Sequence, residues 1–360
     1  MRLRDREASD GIAMISETLL IRADASVTIG TGHVMRCLAL AQAWQDVGGR
    51  AVFAMAQSTP AVCERLEHES CKVVEIAAEA GLQQDCQQTV TKAREYNAQW
   101  VVVDGYQFPA EYQDALKAGG RKVVFVDDYG QAAHYSANLV LNQNACADEG
   151  LYKERKSETQ LLLGTRHCML RREFGAWREW KREISTTGRR LLVTMGGSDP
   201  DNVTLCVIQA LQEIAEPGLE AVVVVGGSNP HVASIQKAAE DSRHDIRVRI
   251  NAANMPELMA RADLAISAAG STCWEMCALG LPALLICVAQ NQITAAKCLA
   301  EQGAAFVLQS GGENRPSAIA AAVNRLSADM LLRQQICTQA RKLVDFDGAM
   351  RVVASMRNHT

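Results

Sequence analysis

The stretch Thr28-Ile29-Gly30-Thr31-Gly32-His33-Val34-Met35-Arg36-Cys37 follows an apolar segment, Leu19-Leu20-Ile21-Arg22-Ala23-Asp24, with the length and character of a strand. Beyond it, Val34, Cys37, Leu38 and Ala41 recur at helical spacing until Gly48-Gly49. The reading is strand, glycine turn and helix in succession, the opening unit of a parallel α/β sheet. Glycines at such a turn let backbone approach a ligand closely, and the helix start favours negative charge. His33 puts a proton acceptor there. Taken alone, the motif also reads as a tight turn with an incidental surface histidine.

The alternation continues along the chain. Strands are predicted at 19–24, 51–55, 72–76, 100–103, 122–126 and 138–141, then at 190–195, 221–225, 246–250, 263–266, 283–287 and 305–308, with amphipathic helical patterns between them. This predicts an α/β protein of two Rossmann-like doubly wound domains facing a cleft, where a ligand would sit at the carboxyl ends of both sheets. Residues 1–18 read as a disordered extension and 19–165 as the N-terminal domain carrying His33. The segment Leu161 to Trp180 reads as the connection, with the linker proper at 166–182. A C-terminal domain at 183–345 and a closing helix and tail at 346–360 complete the expectation.

With 360 residues the chain can bury a core in each of two domains, and its net charge of −4 gives no electrostatic footprint for nucleic acid. The 12 cysteines fall at irregular positions inside apolar patterns, as expected of small buried hydrophobes in a reducing compartment. Cys273 and Cys277 share a helical face, but no second cysteine pair or histidine completes a zinc site, and no metal or cofactor is expected. The first 13 residues lack the apolar core of a signal peptide. The most apolar run, Ala278 to Ala289, is too short to span a bilayer, so a cytoplasmic protein is expected.

The second half carries two glycine turns of its own, Met195-Gly196-Gly197-Ser198-Asp199 and Ser267-Ala268-Ala269-Gly270-Ser271-Thr272. Neither fits the dinucleotide fingerprint or a Walker A loop, which favours phosphates held by backbone amides and hydroxyls. Ser271 or Thr272 could cap the following helix, and Glu275 could bond a ribose or complete a capping box. Met255 could cover a base edge or belong to the core. Asp104-Gly105-Tyr106 ends one strand where α/β sites are built. Asp127-Asp128-Tyr129 ends the next and reads as a structural turn. The amides of Gln290-Asn291-Gln292 suit a sugar bearing hydroxyl and acetamido groups.

Arg22-Ala23-Asp24-Ala25-Ser26, the Gly30-Thr31-Gly32-His33 run, Leu162-Leu163-Gly164, Leu170-Arg171-Arg172-Glu173-Phe174, Met195-Gly196-Gly197-Ser198-Asp199-Pro200 and Gly270-Ser271-Thr272-Cys273-Trp274-Glu275 together resemble one family over about residues 19 to 310. It is the UDP-2,4-diacetamido-2,4,6-trideoxy-β-L-altropyranose hydrolase family of pseudaminic acid biosynthesis. The resemblance implies a GT-B type fold, similar to the transferase that adds N-acetylglucosamine to lipid-linked muramyl-pentapeptide. It implies UDP release by C1–oxygen cleavage with inversion and no required metal. His33 matches the family's proposed general base, and Tyr106 and Asn291 fall where it has a tyrosine and an asparagine near the sugar. Gly270, Ser271 and Glu275 match its nucleotide-binding signature, and Gly32, Gly196, Gly197, Met255 and Thr272 join the expected substrate contacts.

The chemistry agrees. Inverting glycosidases need an acid for a poor leaving group and a base for water. UDP is already a stable anion, so one base remains necessary, and a histidine can serve. The expected partners are a UDP-sugar and water, without nucleic acid or membrane insertion, in a monomer. The alternatives are a GT-B transferase with a non-water acceptor, a hydrolase for a related nonulosonic acid precursor, and a non-catalytic UDP-sugar binder. The last would not need His33. A membrane-acceptor transferase would show a basic amphipathic patch, and the helix starting at His33 offers only Arg36 on its early turns.

Overall fold

The computed structural model describes residues 17–308 and 316–359. The first half contains β1 (Thr18–Ala23), α1 (Gly32–Asp46), β2 (Arg50–Met55), α2 (Pro60–His68), β3 (Lys72–Glu75), α3 (Gln83–Glu95), β4 (Ala98–Asp104), α4 (Ala110–Ala118), β5 (Lys122–Val126), β6 (Leu139–Asn142) and β7 (Gln160–Leu163). After two short 3-10 turns come β8 (Arg190–Thr194), α5 (Val203–Gln212), β9 (Glu220–Val225), α6 (Val232–Glu240), β10 (Asp245–Ile250), α7 (Met255–Arg261), β11 (Leu264–Ala268), α8 (Thr272–Ala278), β12 (Ala283–Ile286), α9 (Gln290–Glu301), β13 (Phe306–Val307), α10 (Pro316–Ala328), α11 (Met330–Leu343) and α12 (Gly348–Asn358).

All strands pair in parallel, in two sheets ordered β3-β2-β1-β4-β5-β6-β7 and β10-β9-β8-β11-β12-β13. Strand β1 explains the arrangement. Each of its six residues is buried, as a central parallel strand requires. Leu19 and Ile21 face the cluster that includes α1, while Leu20 faces the one holding Cys86, Val90 and Tyr112. In each sheet the chain runs outward for three strands and then returns to the other side of the first. The direction therefore reverses between β1 and β4 and again between β8 and β11. A crevice opens beyond the carboxyl ends of strands at such a reversal.

The two doubly wound domains match the sequence expectation, with differences. Thr18, assigned to a disordered extension, is the first residue of β1 and pairs with Arg50 and Ala98, while residues 1–16 lie outside the described residues. The segment beginning at Leu161, read as connection, supplies most of a seventh strand: β7 pairs with β6 in the register Leu139↔Gln160 to Asn142↔Leu163. Four residues ending just before Gly164 (φ 86°), with only a 3-10 turn at Glu149–Tyr152 between β6 and β7, leave little periodic signal.

The closing helix α12 returns to the first domain. Its Val352, Val353 and Met356 are buried in the same cluster as Leu19, Leu38 and Trp44. Met356→Ala should destabilise the protein by about 2–5 kcal/mol, the range for truncating a buried side chain of this size. Chemical denaturation followed by tryptophan fluorescence will read this, and an unmoved transition would show that α12 contributes no core.

Candidate active site

The β1–β4 reversal builds the first wall. Gly30 (φ 77°) closes a tight loop in which its own N–H donates to the Ser26 carbonyl (2.8 Å), so α1 starts directly at the sheet edge. His33 is then the second residue of the helix, and Asp104, the fully buried last residue of β4, lies beside it. His33 Nδ1 is 2.7 Å from Asp104 Oδ1. Arg36, one turn along α1, donates from Nε to Asp104 Oδ2 and from Nη2 to Oδ1, both at 2.6 Å. An ionised carboxylate only accepts, so Nδ1 carries the hydrogen, and the neutral ring in that tautomer has its lone pair on Nε2. Burial alone would raise the Asp104 carboxyl, but Arg36 and His33 outweigh it and hold it well below the usual carboxylate range.

Arg36 has a second partner. Its Nη1 donates to Asp128 Oδ1 at 2.7 Å, and Asp128 Oδ2 accepts from the Tyr106 hydroxyl at 2.8 Å. Burial works against the Asp128 anion too, and Arg36 again wins, so its pKa is lowered. The Tyr106 ring stands edge-on to His33, centroids 4.8 Å apart at 80°. Burial, then the charge of Asp128, push its phenol far above its ordinary value and keep it a donor. Asn291 at the start of α9 reaches across from the second domain and donates to the Tyr106 oxygen at 2.7 Å.

The β8–β11 reversal builds the facing wall. Thr31, at the N-cap of α1, makes no side-chain cap bond. It sits instead against Gly197, where a Cβ would come within 2.3 Å of its Oγ1. A Cβ on Gly32 would in turn lie 3.5 Å from Ser271 Oγ. The glycine turns of the two domains thus meet face to face, in ordinary contact at Gly32 and at Gly197 with no room for a Cβ beside Thr31 as it stands. Asp199 caps α5, accepting from the amides of Val203 (2.8 Å) and Thr204 (2.9 Å).

Two local expectations are corrected here. Ser271 stands at the N-cap of α8 but makes no capping bond, and Glu275 forms no capping box. Glu275 Oε1 instead accepts from Arg171 Nε (3.1 Å) and Nη2 (2.9 Å). Burial raises the Glu275 carboxyl even with Arg171 beside it. The amides of Cys273 and Trp274 bond back to the carbonyls of Gly270 (3.0 Å) and Ser271 (3.1 Å), and Gly270, Ser271 and Thr272 before them line the cleft.

His33, Gly32, Tyr106, Asn291, Gly196, Gly197, Met255, Gly270, Ser271, Thr272 and Glu275 all line one cleft of about 410 Å³ between the domains. Met255 does double duty: its side chain is buried in the core cluster of the second domain while it borders the cleft. A second cavity of about 880 Å³ shares His33, Tyr106 and Asn291 and extends past Tyr129, Cys146 and Thr294. Arg36 and Asp128 also border the cleft. The spacing of Arg36 from His33, three residues on one helix face, was their only sequence signal. Asp128, read as part of a structural turn, belongs to this site. Its neighbour Asp127 is the structural one, accepting from the amides of Tyr129, Gly130 and Gln131. Cys273 and Cys277 are buried in the core, and burial pushes the Cys277 thiol up to about 12. Among the described residues, no group of three or more His, Cys, Asp or Glu is arranged to hold a metal, and no helix is long and apolar enough to cross a membrane.

Residues 190–345 match the Glycosyltransferase family 28 C-terminal domain. MurG of Acinetobacter baumannii superposes with a TM-score of 0.64 at 16% identity, covering 96% of this chain and 100% of its own. The fold is GT-B. Two relatives align across both GT-B domains. The spore coat polysaccharide biosynthesis protein SpsG of Bacillus subtilis is 27% identical over 259 residues, 69% of this chain and 74% of its own. The UDP-2,4-diacetamido-2,4,6-trideoxy-β-L-altropyranose hydrolase of Campylobacter jejuni is 25% identical over 287 residues, 79% of this chain and 97% of its own. The family resemblance read from the sequence motifs holds at this level.

The contact between the two glycine turns is testable without any ligand. Gly197→Ala should collide with Thr31, at about the 1–3 kcal/mol of an overpacked contact, and open the GT-B cleft. Small-angle X-ray scattering should record a larger radius of gyration, restored in the Gly197→Ala/Thr31→Gly pair. An unchanged radius would show that the turn yields locally instead.

Proposed function

We propose that this chain is a nucleotide-sugar hydrolase that releases UDP from a UDP-diacetamido-trideoxyhexose by attack of water at C1, with inversion, in pseudaminic acid biosynthesis. The broader class, an enzyme acting on nucleotide sugars, is supported by the family 28 domain match and by the alignment with the Campylobacter hydrolase over both domains. The observation that carries hydrolysis is the 2.7 Å contact between His33 Nδ1 and Asp104, on the wall facing the second domain's glycine turns.

In this reading the diphosphate rests on the amides and hydroxyls of Gly196-Gly197 and Gly270-Ser271-Thr272. The ribose meets Glu275, the base lies near Met255, and the sugar projects towards His33, Tyr106 and Asn291. His33 Nε2 takes a proton from water as the water oxygen bonds to C1. The C1–O bond breaks and its electron pair leaves with UDP, whose added charge the amides stabilise. The imidazolium forms beside one guanidinium and two carboxylates, Arg36 with Asp104 and Asp128.

A transferase with a non-water acceptor is the second reading, and the 880 Å³ cavity adjoining His33 is the observation that favours it. Incubation with UDP-diacetamido-sugars in labelled water separates the two. Hydrolysis predicts UDP release without an acceptor and label on the sugar C1 hydroxyl. Label in UDP, or no release until an acceptor is added, overturns it.

His33→Asn should lower turnover by about 10²–10⁴-fold while UDP affinity is retained. Turnover that survives this change removes His33 from the mechanism. Asp104→Asn, which lets the ring take the wrong tautomer, should lower kcat by up to about 10⁴-fold with little change in KM. An equal rise in KM at constant kcat would assign Asp104 to binding.

A further inference from the structure

Between the two domains runs one continuous series of side-chain hydrogen bonds. Asn291 Nδ2 donates to Tyr106 Oη (2.7 Å), and Tyr106 donates to Asp128 Oδ2 (2.8 Å). Asp128 Oδ1 accepts from Arg36 Nη1 (2.7 Å). Arg36 grips Asp104 with its other two nitrogens (2.6 Å each), and Asp104 accepts from His33 Nδ1 (2.7 Å). Every carboxylate in the series accepts and every hydrogen has a single destination. Arg36 Nη2 also lies 3.2 Å from His33 Nδ1, but two donors cannot share that contact, so its hydrogen goes to Asp104.

The series crosses the cleft once, at Asn291, and the two members that meet there are exposed, Tyr106 at 38%, whereas Arg36 is 7% and Asp104 0%. Tyr106 also braces His33 through the ring edge. The buried end is held entirely within the first domain, and Tyr106, held there by Asp128, gains its second hydrogen bond only while the second domain is in place. Arg36 is suited to the joint because its planar fork can hold two carboxylates in fixed directions at once, which an ammonium cannot.

We infer that Arg36 and Asp128 are positioning residues that tie the alignment of His33 to closure of the two domains through the Asn291–Tyr106 bond. The inference rests on His33 as the base. Water is then activated efficiently only when the second domain, with its ligand, has closed on the first. Open enzyme keeps Asp104 paired but leaves Tyr106, and the imidazole it braces, without their second support.

The test is a double-mutant cycle on kcat, with UDP affinity measured in each variant. Asn291→Ala should lower kcat about tenfold in the native background, the scale of coupling between members of one hydrogen-bond network. It should have almost no further effect in an Asp128→Asn background. Arg36→Lys, which keeps the charge and loses the fork, should likewise lower kcat with UDP affinity unchanged and should abolish the effect of Asn291→Ala. If Asp128→Asn does not fold, Tyr106→Phe replaces it, removing one hydroxyl and leaving the ring against His33. An equal loss from Asn291→Ala in every background would mean that Asn291 acts on the sugar directly and would overturn the inference. Full turnover in His33→Asn would instead remove the reading beneath it, so the two failures are distinguishable.

Discussion

A carboxylate left without a partner at the end of a buried strand would destabilise the fold by several kcal/mol, and Asp104 stands at such a position. Arg36 is what makes it tolerable, binding both oxygens at 2.6 Å. The guanidinium is carried on α1, so satisfying Asp104 fixes the rotation of that helix against β4. His33 lies one turn before Arg36 on the same face and is placed by the same contact. The demand of a buried charge and the placement of a proton acceptor are met by one arrangement. The imidazole is thereby buried and hydrogen-bonded at a helix start.

The second domain meets that wall with backbone. Gly197 receives Thr31, Gly32 faces Ser271, and Gly226 lies where any Cβ would run into the Gly197 carbonyl. Close approach of main chain from both sides narrows the cleft and turns amides towards it. Of the cleft-lining side chains, His33, Tyr106 and Asn291 lie where it joins the larger cavity, while Glu275 and Met255 border the cleft alone.

Much of this was legible in the sequence because it is local. Glycine turns after apolar strands, a histidine at a helix start and an acid at a strand end are each visible within ten residues. What could not be read there joins distant residues. Arg36 and Asp128 are 92 positions apart, so Asp128 looked like any turn aspartate. Glu275 lay in a plausible capping box until Arg171, 104 positions earlier, was seen to hold it. Strand β7 was hidden for another reason: four residues carry too short a pattern, and their pairing is decided by β6. The expectation of two doubly wound domains survived these misses because it rested on many elements, each contributing a little.

The cleft-lining acids bear on the kind of leaving group the site can handle. Asp128 is committed to Arg36 and Tyr106, and Asp199 to the amides that open α5. Glu275 is the one whose burial raises its pKa, and its Oε1 takes two bonds from Arg171 that are charge-assisted only while the carboxylate is ionised. Each is therefore engaged in contacts that favour its anion. An ordinary glycoside, whose alkoxide is a poor leaving group, needs a proton on the departing oxygen, and a diphosphate ester does not. A site with a histidine on one wall, glycine turns opposite it and every cleft acid already engaged suits a substrate that leaves as a stable anion. That is the physical reason for preferring a nucleoside diphosphate sugar over a simple glycoside, independent of any relative.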